Sequence, residues 1–381
     1  MRRGTCMRKK IFAVSDIHGH YKELKNALEK AGFIPNDETQ LLIVCGDCFD
    51  RGNENRLVFE YLNAIQNKIL IKGNHEDMLA LILDKKHIGR GGFSNGIDCT
   101  IRDFFGDEAF GILDPMYQAA IKLNFWGKED ILSELHSFMA DMYDYFETEN
   151  YVFTHGWLPS VAVDEGVYRI KDDFRLEQPG LWERARFTEW YRRYQQGALL
   201  EGKTIVCGHR TSRFGCLFDE TRDPSDFSAF YAKGMIAIDA ATIQSKEVNV
   251  LVIEDEEIPM QTHKMSLKTE PFLQICNGEK RVEMRLLDEK RKKLRVGDRI
   301  VFTHTENENE TVSVRVIGLH AYKKFNDMLW DFSENVLGVP KETEDLDEMM
   351  SSYYSREDVQ KFGALAIRVQ IEKEDGLNEN Q

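Results

Sequence analysis

The first 86 residues alternate between short apolar runs and amphipathic segments, and this alternation restricts the fold more than any other feature of the sequence. The apolar runs are short enough for strands, while the segments between them repeat apolar residues at helical spacing. The predicted strands and helices alternate in the order 10–16, 21–33, 40–47, 55–67, 68–76 and 77–86. Elements that alternate at this pitch form βαβ units around a parallel sheet, which binds its ligands beyond the carboxyl ends of the strands.

Polar residues follow each predicted strand, and they also follow two later apolar runs at 151–156 and 203–210. In an extended chain residues i and i+2 point the same way, so Asp16 and His18 can serve one site. The other polar residues at strand ends are Asp47, Asp50, Arg51, Asn74, His75, His155 and His209. Carboxylate, imidazole and amide ligands without thiolates favour manganese, iron or zinc. A carboxylate bridging two such ions suits phosphoester cleavage. The pattern therefore predicts a site for two divalent metal ions, with manganese as the preferred metal.

The remaining sequence predicts a boundary between two domains. A glycine-rich stretch at 89–96 is expected to form a loop at the rim of the site, and 234–241 and 248–255 are expected to form a closing pair of strands. The apolar pattern stops within 254–270, which places one domain at 1–258 and a second at 259–381. The second domain has predicted strands at 272–286, 297–304, 311–322 and 362–373.

Composition limits the partners and the compartment. The formal net charge of −15 argues against a molecule that coats nucleic acid over its whole surface. The seven cysteines, at irregular spacing, are typical of reduced thiols in a cytosol. Since no apolar stretch approaches membrane-spanning length, we expect a cytoplasmic protein with no membrane partner.

Five blocks of the sequence resemble the metallophosphoesterases. In order they are "DIHG", "GDCFDRG", "GNHE", "THG" and "GH". In detail they are similar to bacterial and phage-type phosphoprotein phosphatases, the lambda phosphatase-like group, and "LWERARF" and "IAIDAA" extend the likeness over about residues 10–255. The resemblance implies an α/β sandwich of two sheets flanked by helices.

The resemblance also implies a role for each residue of the site. The metal ligands would be Asp16, His18, Asp47, Asn74, His155 and His209, with Asp47 bridging two ions. Arg51 and Arg184 would bind the phosphate, and His75, oriented by Asp50, would protonate the leaving oxygen. A hydroxide bridging the two metals would attack phosphorus in line. Lys72 stands where the group often has arginine, which keeps the charge and loses the planar fork.

The second domain resembles the ASCH domain, a small PUA-like β-barrel. The likeness rests on "GEKRVEMRL", "LRVGDRIVF" and "YYSREDVQKFGALAIRV", within about residues 264–372. The family is thought to bind RNA, which implies RNA or a nucleotide as a partner and Lys280, Glu283 and Arg285 as ligand contacts. Residues 277–304 hold nine basic and five acidic residues, so this stretch is either a patch facing nucleic acid or a salt-bridged surface.

Three functions are compatible with these features. The leading interpretation is a metal-dependent phosphomonoester hydrolase of the serine/threonine protein phosphatase type, acting on a phosphorylated protein. The first alternative uses the same metals on nucleotides, dinucleoside polyphosphates or RNA ends. The second alternative is a non-catalytic RNA-binding protein, against which the intact Asp50, His75, Arg51 and Arg184 argue.

Overall fold

The computed structural model describes residues 8–114, 120–164, 167–170, 180–195 and 199–372. The chain divides into two compact units, residues 1–170 with 182–258 and residues 171–181 with 259–381. Among the described residues, no helix has the length and apolar character that a bilayer crossing requires.

The first unit is built on two main sheets. Its strands are β1 (Arg8–Val14), β2 (Gln40–Cys45), β3 (Lys68–Ile71), β4 (His87–Ile88), β5 (Phe110–Asp114), β6 (Ala120–Leu123), β7 (Phe146–Glu147), β8 (Tyr151–Phe153), β9 (Ser160–Asp164), β10 (Val167–Ile170), β11 (Leu199–Leu200), β12 (Thr204–Cys207), β13 (Phe230–Ala232), β14 (Met235–Ala237) and β15 (Leu251–Glu256). The main sheets have the orders β15-β1-β2-β3 and β13-β14-β12-β8-β7, and two three-stranded sheets have the orders β11-β10-β9 and β4-β6-β5.

Amphipathic helices cover the first sheet. The helices of this unit are α1 (Tyr21–Ala31), α2 (Asn55–Ala64), α3 (Asn74–Lys85), α4 (Arg90–Ser94), α5 (Ile97–Phe105), α6 (Glu129–Ala140), α7 (Leu181–Arg186), α8 (Trp190–Gln195) and α9 (Thr242–Ser245). In α1 the apolar spacing buries Leu24 and Leu28, and the helix ends at Gly32, whose φ of 84° lies in the left-handed region. The predicted βαβ alternation is therefore present, with strands and helices in the expected order.

Strand register brings the polar strand ends together. In the first sheet Val14 pairs with Val44 in parallel, so the residues that follow also meet, and the Asp16 amide donates to the Gly46 carbonyl at 3.1 Å. In the second sheet Phe153 pairs with Val206, and the Gly208 amide donates to the His155 carbonyl at 2.8 Å. The carboxyl ends of two sheets, rather than one, therefore carry the predicted site.

Two expectations for this unit are wrong. The runs at 234–241 and 248–255 are not paired, because β14 lies beside β12 in the second sheet while β15 lies antiparallel to β1 in the first. The glycine-rich stretch at 89–96 contains the short helix α4 rather than a continuous loop. It does border the site, because the Gly96 carbonyl accepts the Arg51 amide at 2.9 Å.

The second unit is a five-stranded sheet that curls into a half-barrel, with helices beside it. Its elements are β16 (Thr262–Leu267), α10 (Thr269–Cys276), β17 (Val282–Leu286), β18 (Arg299–His304), β19 (Thr311–Tyr322), α11 (Glu334–Leu337), α12 (Leu346–Met350), α13 (Arg356–Phe362) and β20 (Ala364–Ile371), in the sheet order β16-β18-β19-β20-β17. The predicted strand at 272–286 is wrong in its first part, since α10 occupies residues up to Cys276 and the strand begins at Val282. The fold class predicted for the whole chain is confirmed.

Candidate metal centre

The backbone at the strand ends is strained. Residues of the predicted site with positive φ are Asp16 (52°), His18 (48°), Asp47 (54°), Asp50 (75°), Arg51 (66°) and His209 (66°). A left-handed backbone is costly for residues other than glycine and is found preferentially at functional sites. The chain turns sharply after each strand, and the turns direct these side chains toward one another.

One group of candidate ligands contains His18, Asp47 and His75. A nitrogen or oxygen from each lies within 4.8 Å of the others. Nε2 of His18 lies 3.8 Å and Nε2 of His75 lies 3.9 Å from Oδ2 of Asp47. Nδ1 of His18 donates to the Phe49 carbonyl at 2.9 Å, which leaves Nε2 available to a metal. Asp16 completes this side, with Oδ1 4.0 Å from His18 Nε2.

A second group contains Asp47, His155 and His209, so Asp47 is common to both groups. Oδ1 of Asp47 lies 3.3 Å from Nε2 of His155. Oδ1 of Asn74 lies 2.9 Å from His155 Nε2 and 2.8 Å from His209 Nδ1. His155 is oriented by its other nitrogen, since Nδ1 donates to the Cys45 carbonyl at 2.7 Å. The structure thus brings all six predicted metal ligands together in two groups that share one carboxylate.

The electrostatics of these groups leave two histidine rings neutral and the shared carboxylate charged. Burial lowers the pKa of His18 well below its usual range and that of His209 to about 4, so both rings are neutral and offer a lone pair. Burial alone would raise the pKa of Asp47, but His155 and His75 outweigh it and hold that pKa well below its usual range. Burial would lower the pKa of His155, but the Asp47 carboxylate outweighs it and raises that pKa to about 10. The shared carboxylate is therefore ionised, as a metal ligand must be.

His75 of the first group forms a buried pair with Asp50. Nδ1 of His75 donates to Oδ2 of Asp50 at 2.7 Å, which leaves Nε2 facing the site. Burial would lower the pKa of His75, but Asp47 and Asp50 outweigh it and raise that pKa above its usual value. Asp50 is held in turn by Thr100, whose hydroxyl donates to Oδ1 at 2.5 Å. In its protonated form, a histidine held in this way can donate a proton from Nε2.

Glu76 supports the site, although the sequence reasoning assigned it no role. It is fully buried, and its carboxylate accepts three backbone N–H groups, from Asp47 at 3.0 Å, Gly73 at 2.8 Å and Cys48 at 2.8 Å. These bonds tie the loop of Asp47 to the loop that precedes Asn74. Its position directly after "GNH" was the available signal, since a carboxylate at the start of α3 is well placed to accept amides.

The two predicted phosphate-binding arginines have different positions. Arg51 is exposed, and its two terminal nitrogens lie 2.8 Å from His18 Nε2 and 3.0 Å from His75 Nε2. It therefore reaches the space between the two imidazole rings of the first group. Arg184 is exposed on α7. Phe187, which directly follows this helix, has its ring centroid 6.4 Å from that of His209. Arg184 is thus carried on a segment that borders the second group.

In the second unit the three predicted ligand contacts are close together, with Lys280 and Glu283 buried and Arg285 half-buried. Glu283 Oε1 lies 2.7 Å from Arg285 Nη1, and Glu283 Oε2 lies 3.7 Å from Lys280 Nζ. Lys280 also donates to the Leu337 carbonyl at 2.5 Å, and burial lowers its pKa. Arg285 donates to the Ser266 carbonyl at 2.9 Å. The cluster therefore contains two cations and one carboxylate, which leaves one cation in excess.

Several basic residues of the stretch at 277–304 form ion pairs with acidic side chains. Arg291 lies 2.5 Å from Asp288, and Lys292 lies 2.6 Å from Glu289. Arg299 pairs with Glu372 at 2.5 Å. These ion pairs favour the interpretation of a salt-bridged surface over that of a free cationic patch.

Two sheets whose strand ends share a carboxylate between histidine groups provide the ligand arrangement found in metal-dependent hydrolases of phosphate esters. Residues 9–231 match the family model of the calcineurin-like phosphoesterases, and the chain belongs to this family. Residues 265–373 match the model of the ASCH domain. The predicted family, the attached ASCH domain and the assignment as an enzyme are confirmed, which sets aside a purely RNA-binding, non-catalytic protein.

The chain is similar to proteins with two kinds of name. A symmetrical bis(5'-nucleosyl)-tetraphosphatase of Buchnera aphidicola subsp. Schizaphis graminum is 42% identical over 67 residues, which are 17% of this chain and 24% of the relative. Serine/threonine-protein phosphatase 2 of Escherichia coli K12 is 36% identical over 115 residues, which are 30% of this chain and 46% of the relative. A solved serine/threonine phosphatase of Saccharomyces cerevisiae is 14% identical, covers 67% of this chain and 82% of its own, and has a TM-score of 0.35. The chain spans less than half the length of these two curated relatives.

Proposed function

We propose that the chain hydrolyses phosphate monoesters, with phosphoserine and phosphothreonine in proteins as the leading substrate class. The observation that carries the proposal is the position of Asp47, whose two oxygens face two different histidine groups beside the buried His75–Asp50 pair. A shared carboxylate with an oriented histidine next to it is the arrangement that a metal-assisted displacement at phosphorus needs.

The donor set fits two divalent ions. Asp16, His18 and Asp47 would hold one, and Asp47, Asn74, His155 and His209 would hold the other. The ligands are all oxygen and imidazole nitrogen, so manganese is the proposed metal, with iron and zinc as alternatives. When bound, two such ions supply Lewis acidity that activates water and neutralises charge on the phosphate.

The residues of the chain perform the remaining tasks. The Arg51 guanidinium, between His18 and His75, can bind two phosphate oxygens at once, and Arg184 is proposed as a second phosphate contact. His75 would donate its Nε2 proton to the leaving oxygen. Asp50 holds the ring through Nδ1 and stabilises its charged form, and Thr100 fixes Asp50.

A second candidate substrate class is nucleotides with several phosphates. It is favoured by the tetraphosphatase relative and by the attached ASCH domain, whose Lys280, Glu283 and Arg285 cluster is proposed to contact RNA or a nucleotide. The ion pairs of the basic stretch mean that this contact is better placed at the cluster than on the surface at 290–293.

A substrate panel in the presence of manganese tests both proposals. The full chain is assayed against phosphoserine and phosphothreonine peptides, p-nitrophenyl phosphate, diadenosine tetraphosphate and 5'-phosphorylated RNA, with Asp47→Asn as the inactive control. Phosphopeptide turnover with the highest kcat/KM supports the leading proposal, and preference for the tetraphosphate or the RNA end replaces it with the second. Hydrolysis of none of these substrates by the metal-loaded chain, with nucleotide products measured for the tetraphosphate and phosphate release for the others, would contradict both.

A further inference from the structure

A buried charge cluster connects three segments of the candidate site. Arg186, at the end of α7, is 6% exposed and lies between two carboxylates. Its Nε donates to Oδ2 of Asp77, and its Nη1 donates to Oδ1 of Asp144 at 3.3 Å. Lys72 reaches the other oxygen of Asp77, with Nζ 3.8 Å from Oδ1. Two cations thus face two anions in a place that is largely shielded from water.

The cluster adjoins residues of the candidate metal centre on one side. Lys72 and Asp77 flank the "GNHE" segment, so they bracket Asn74 and His75 in the chain. On the other side, Arg186 is two residues from Arg184 on the same short helix. The ion pairs therefore hold α7 against the segment that follows β3. Arg184, a proposed phosphate contact, lies on α7, and Asn74 and His75 lie in that segment.

The same helix also holds the loop after His155. The Trp157 amide donates to the Ala185 carbonyl at 2.9 Å. A Cβ atom added to Gly156 would lie 2.5 Å from the Arg186 carbonyl and 2.7 Å from those of Ala185 and Thr188, so the two backbones touch. At the other end of α7, Trp182 stacks on Tyr145 with ring centroids 5.5 Å apart and planes at 6°. These contacts hold the backbone and one end of α7, and Arg186 is the one buried charge of this helix.

A buried ion cluster is an unusual way to gain stability. Removing charges from water costs about as much as their attraction returns, whereas loss of one partner leaves the other charge buried without compensation and is strongly destabilising. What such a cluster does supply is a defined geometry, because the planar guanidinium fixes both distance and direction. At a phosphate site, a displacement of about 1 Å can cost on the order of 100-fold in rate.

We propose that Arg186 is a positioning residue that, through Asp77 and Asp144, sets the place of Arg184 and of the His155 loop in the phosphate-binding site. This inference rests on the proposed phosphatase function for its kinetic consequences. Its structural consequence, a fixed contact between Trp157 and Ala185, does not depend on that function.

The kinetic test compares Arg186→Gln, Arg186→Lys, Arg184→Gln and the double variant Arg184→Gln/Arg186→Gln with manganese and p-nitrophenyl phosphate. Arg186→Gln should lower kcat/KM on the order of 10–100-fold, mainly through KM, and Arg186→Lys should recover part of the loss. In the double variant the second substitution should cost no more than about twofold, because its target is already gone. Arg102→Gln is the matched control, since this exposed arginine pairs only locally with Asp98 and Asp107, and it should leave kcat/KM unchanged.

The structural test measures hydrogen exchange of the Trp157 amide in the same variants. Exchange should be faster in Arg186→Gln and unchanged in Arg184→Gln and Arg102→Gln. Unchanged exchange in both Arg186 variants would overturn the proposal, as would equal losses from Arg186→Gln in the presence and absence of Arg184. If Arg186→Gln does not fold, Arg186→Lys decides by the same two readouts. If the wild-type chain hydrolyses no phosphate ester, the proposed function fails, and the exchange result alone decides the role of Arg186.

Discussion

Replacing Glu76 by glutamine should weaken the candidate metal centre without removing any of its proposed ligands. The carboxylate accepts the Asp47 and Gly73 amides on Oε2 and the Cys48 amide on Oε1. A glutamine keeps one acceptor oxygen and presents an NH₂ group where the other stood. In the more favourable orientation of the glutamine, its oxygen still accepts the Asp47 and Gly73 amides. Its NH₂ group then faces the Cys48 N–H, and two donors oppose each other.

The magnitude follows from this geometry. The lost bond is assisted by a charge and contributes about 1.5–3 kcal/mol, and the buried N–H left without an acceptor costs about 1–3 kcal/mol more. We therefore expect a total loss of roughly 2.5–6 kcal/mol in the free energy of unfolding. For a unit of this size each kcal/mol corresponds to about 2–4 °C in Tm. Because the Asp47 and Cys48 amides set the position of the shared carboxylate, manganese affinity should also fall about 10–100-fold.

Two measurements check this prediction, thermal unfolding followed by circular dichroism and manganese binding followed by calorimetry. Glu60→Gln is the control, because this exposed glutamate only pairs with Arg56 one helical turn away and should change neither quantity. A Glu76→Gln variant with the Tm and the manganese affinity of the control would refute the assignment of Glu76 as the carboxylate that joins the two loops.

Three further predictions concern the chemistry and the second unit. His75→Asn should lower turnover about 10²–10⁴-fold on alkyl phosphates and far less on aryl phosphates, whose leaving groups need little protonation, and equal losses on both would exclude a proton-donor role. Metal analysis of the wild-type chain should find two manganese ions and that of His209→Ala one, whereas a single ion in the wild type would contradict the shared-carboxylate centre. Arg285→Gln should weaken RNA retention on filters at low salt without altering aryl phosphate hydrolysis, whereas charge reversal at Lys290, Lys292 and Lys293 should leave retention unchanged, because that surface is salt-bridged. Loss of retention only on charge reversal would move the RNA contact from the cluster to that surface.

The sequence predicted those parts of the site that are local in the chain. Asp16, His18 and Asp47 could be placed together because each directly follows a buried strand, and parallel register aligns such ends. The contacts of Arg186 could not be predicted, since its carboxylate partners lie 109 and 42 positions earlier and neither belongs to the strand-end pattern. Thr100 was missed for the same reason, because it reaches Asp50 from a helix 50 residues away.

The errors in the fold have equally specific causes. Residues 272–276 form too short and too apolar a run for periodicity to separate helix from strand. Glu270 and Pro271, in the first turn of α10, are nevertheless typical of a helix start. The run at 248–255 was correctly predicted as a strand, but its partner is β1, some 240 positions earlier. Sequence pattern identifies a strand from its own residues, whereas the sheet that it joins depends on distant residues.

The left-handed residues at the strand ends have a consequence for attempts to engineer this enzyme. Each non-glycine residue held at positive φ costs up to about 1–2 kcal/mol, so the six site residues together consume an amount comparable with the net stability of a whole domain. Glycine at any of these positions relieves that cost. A selection for heat resistance alone would therefore favour substitutions at Asp16, His18 or Arg51, and its best survivors would be well-folded proteins without a reaction centre. Only a screen that scores turnover together with stability can improve this chain.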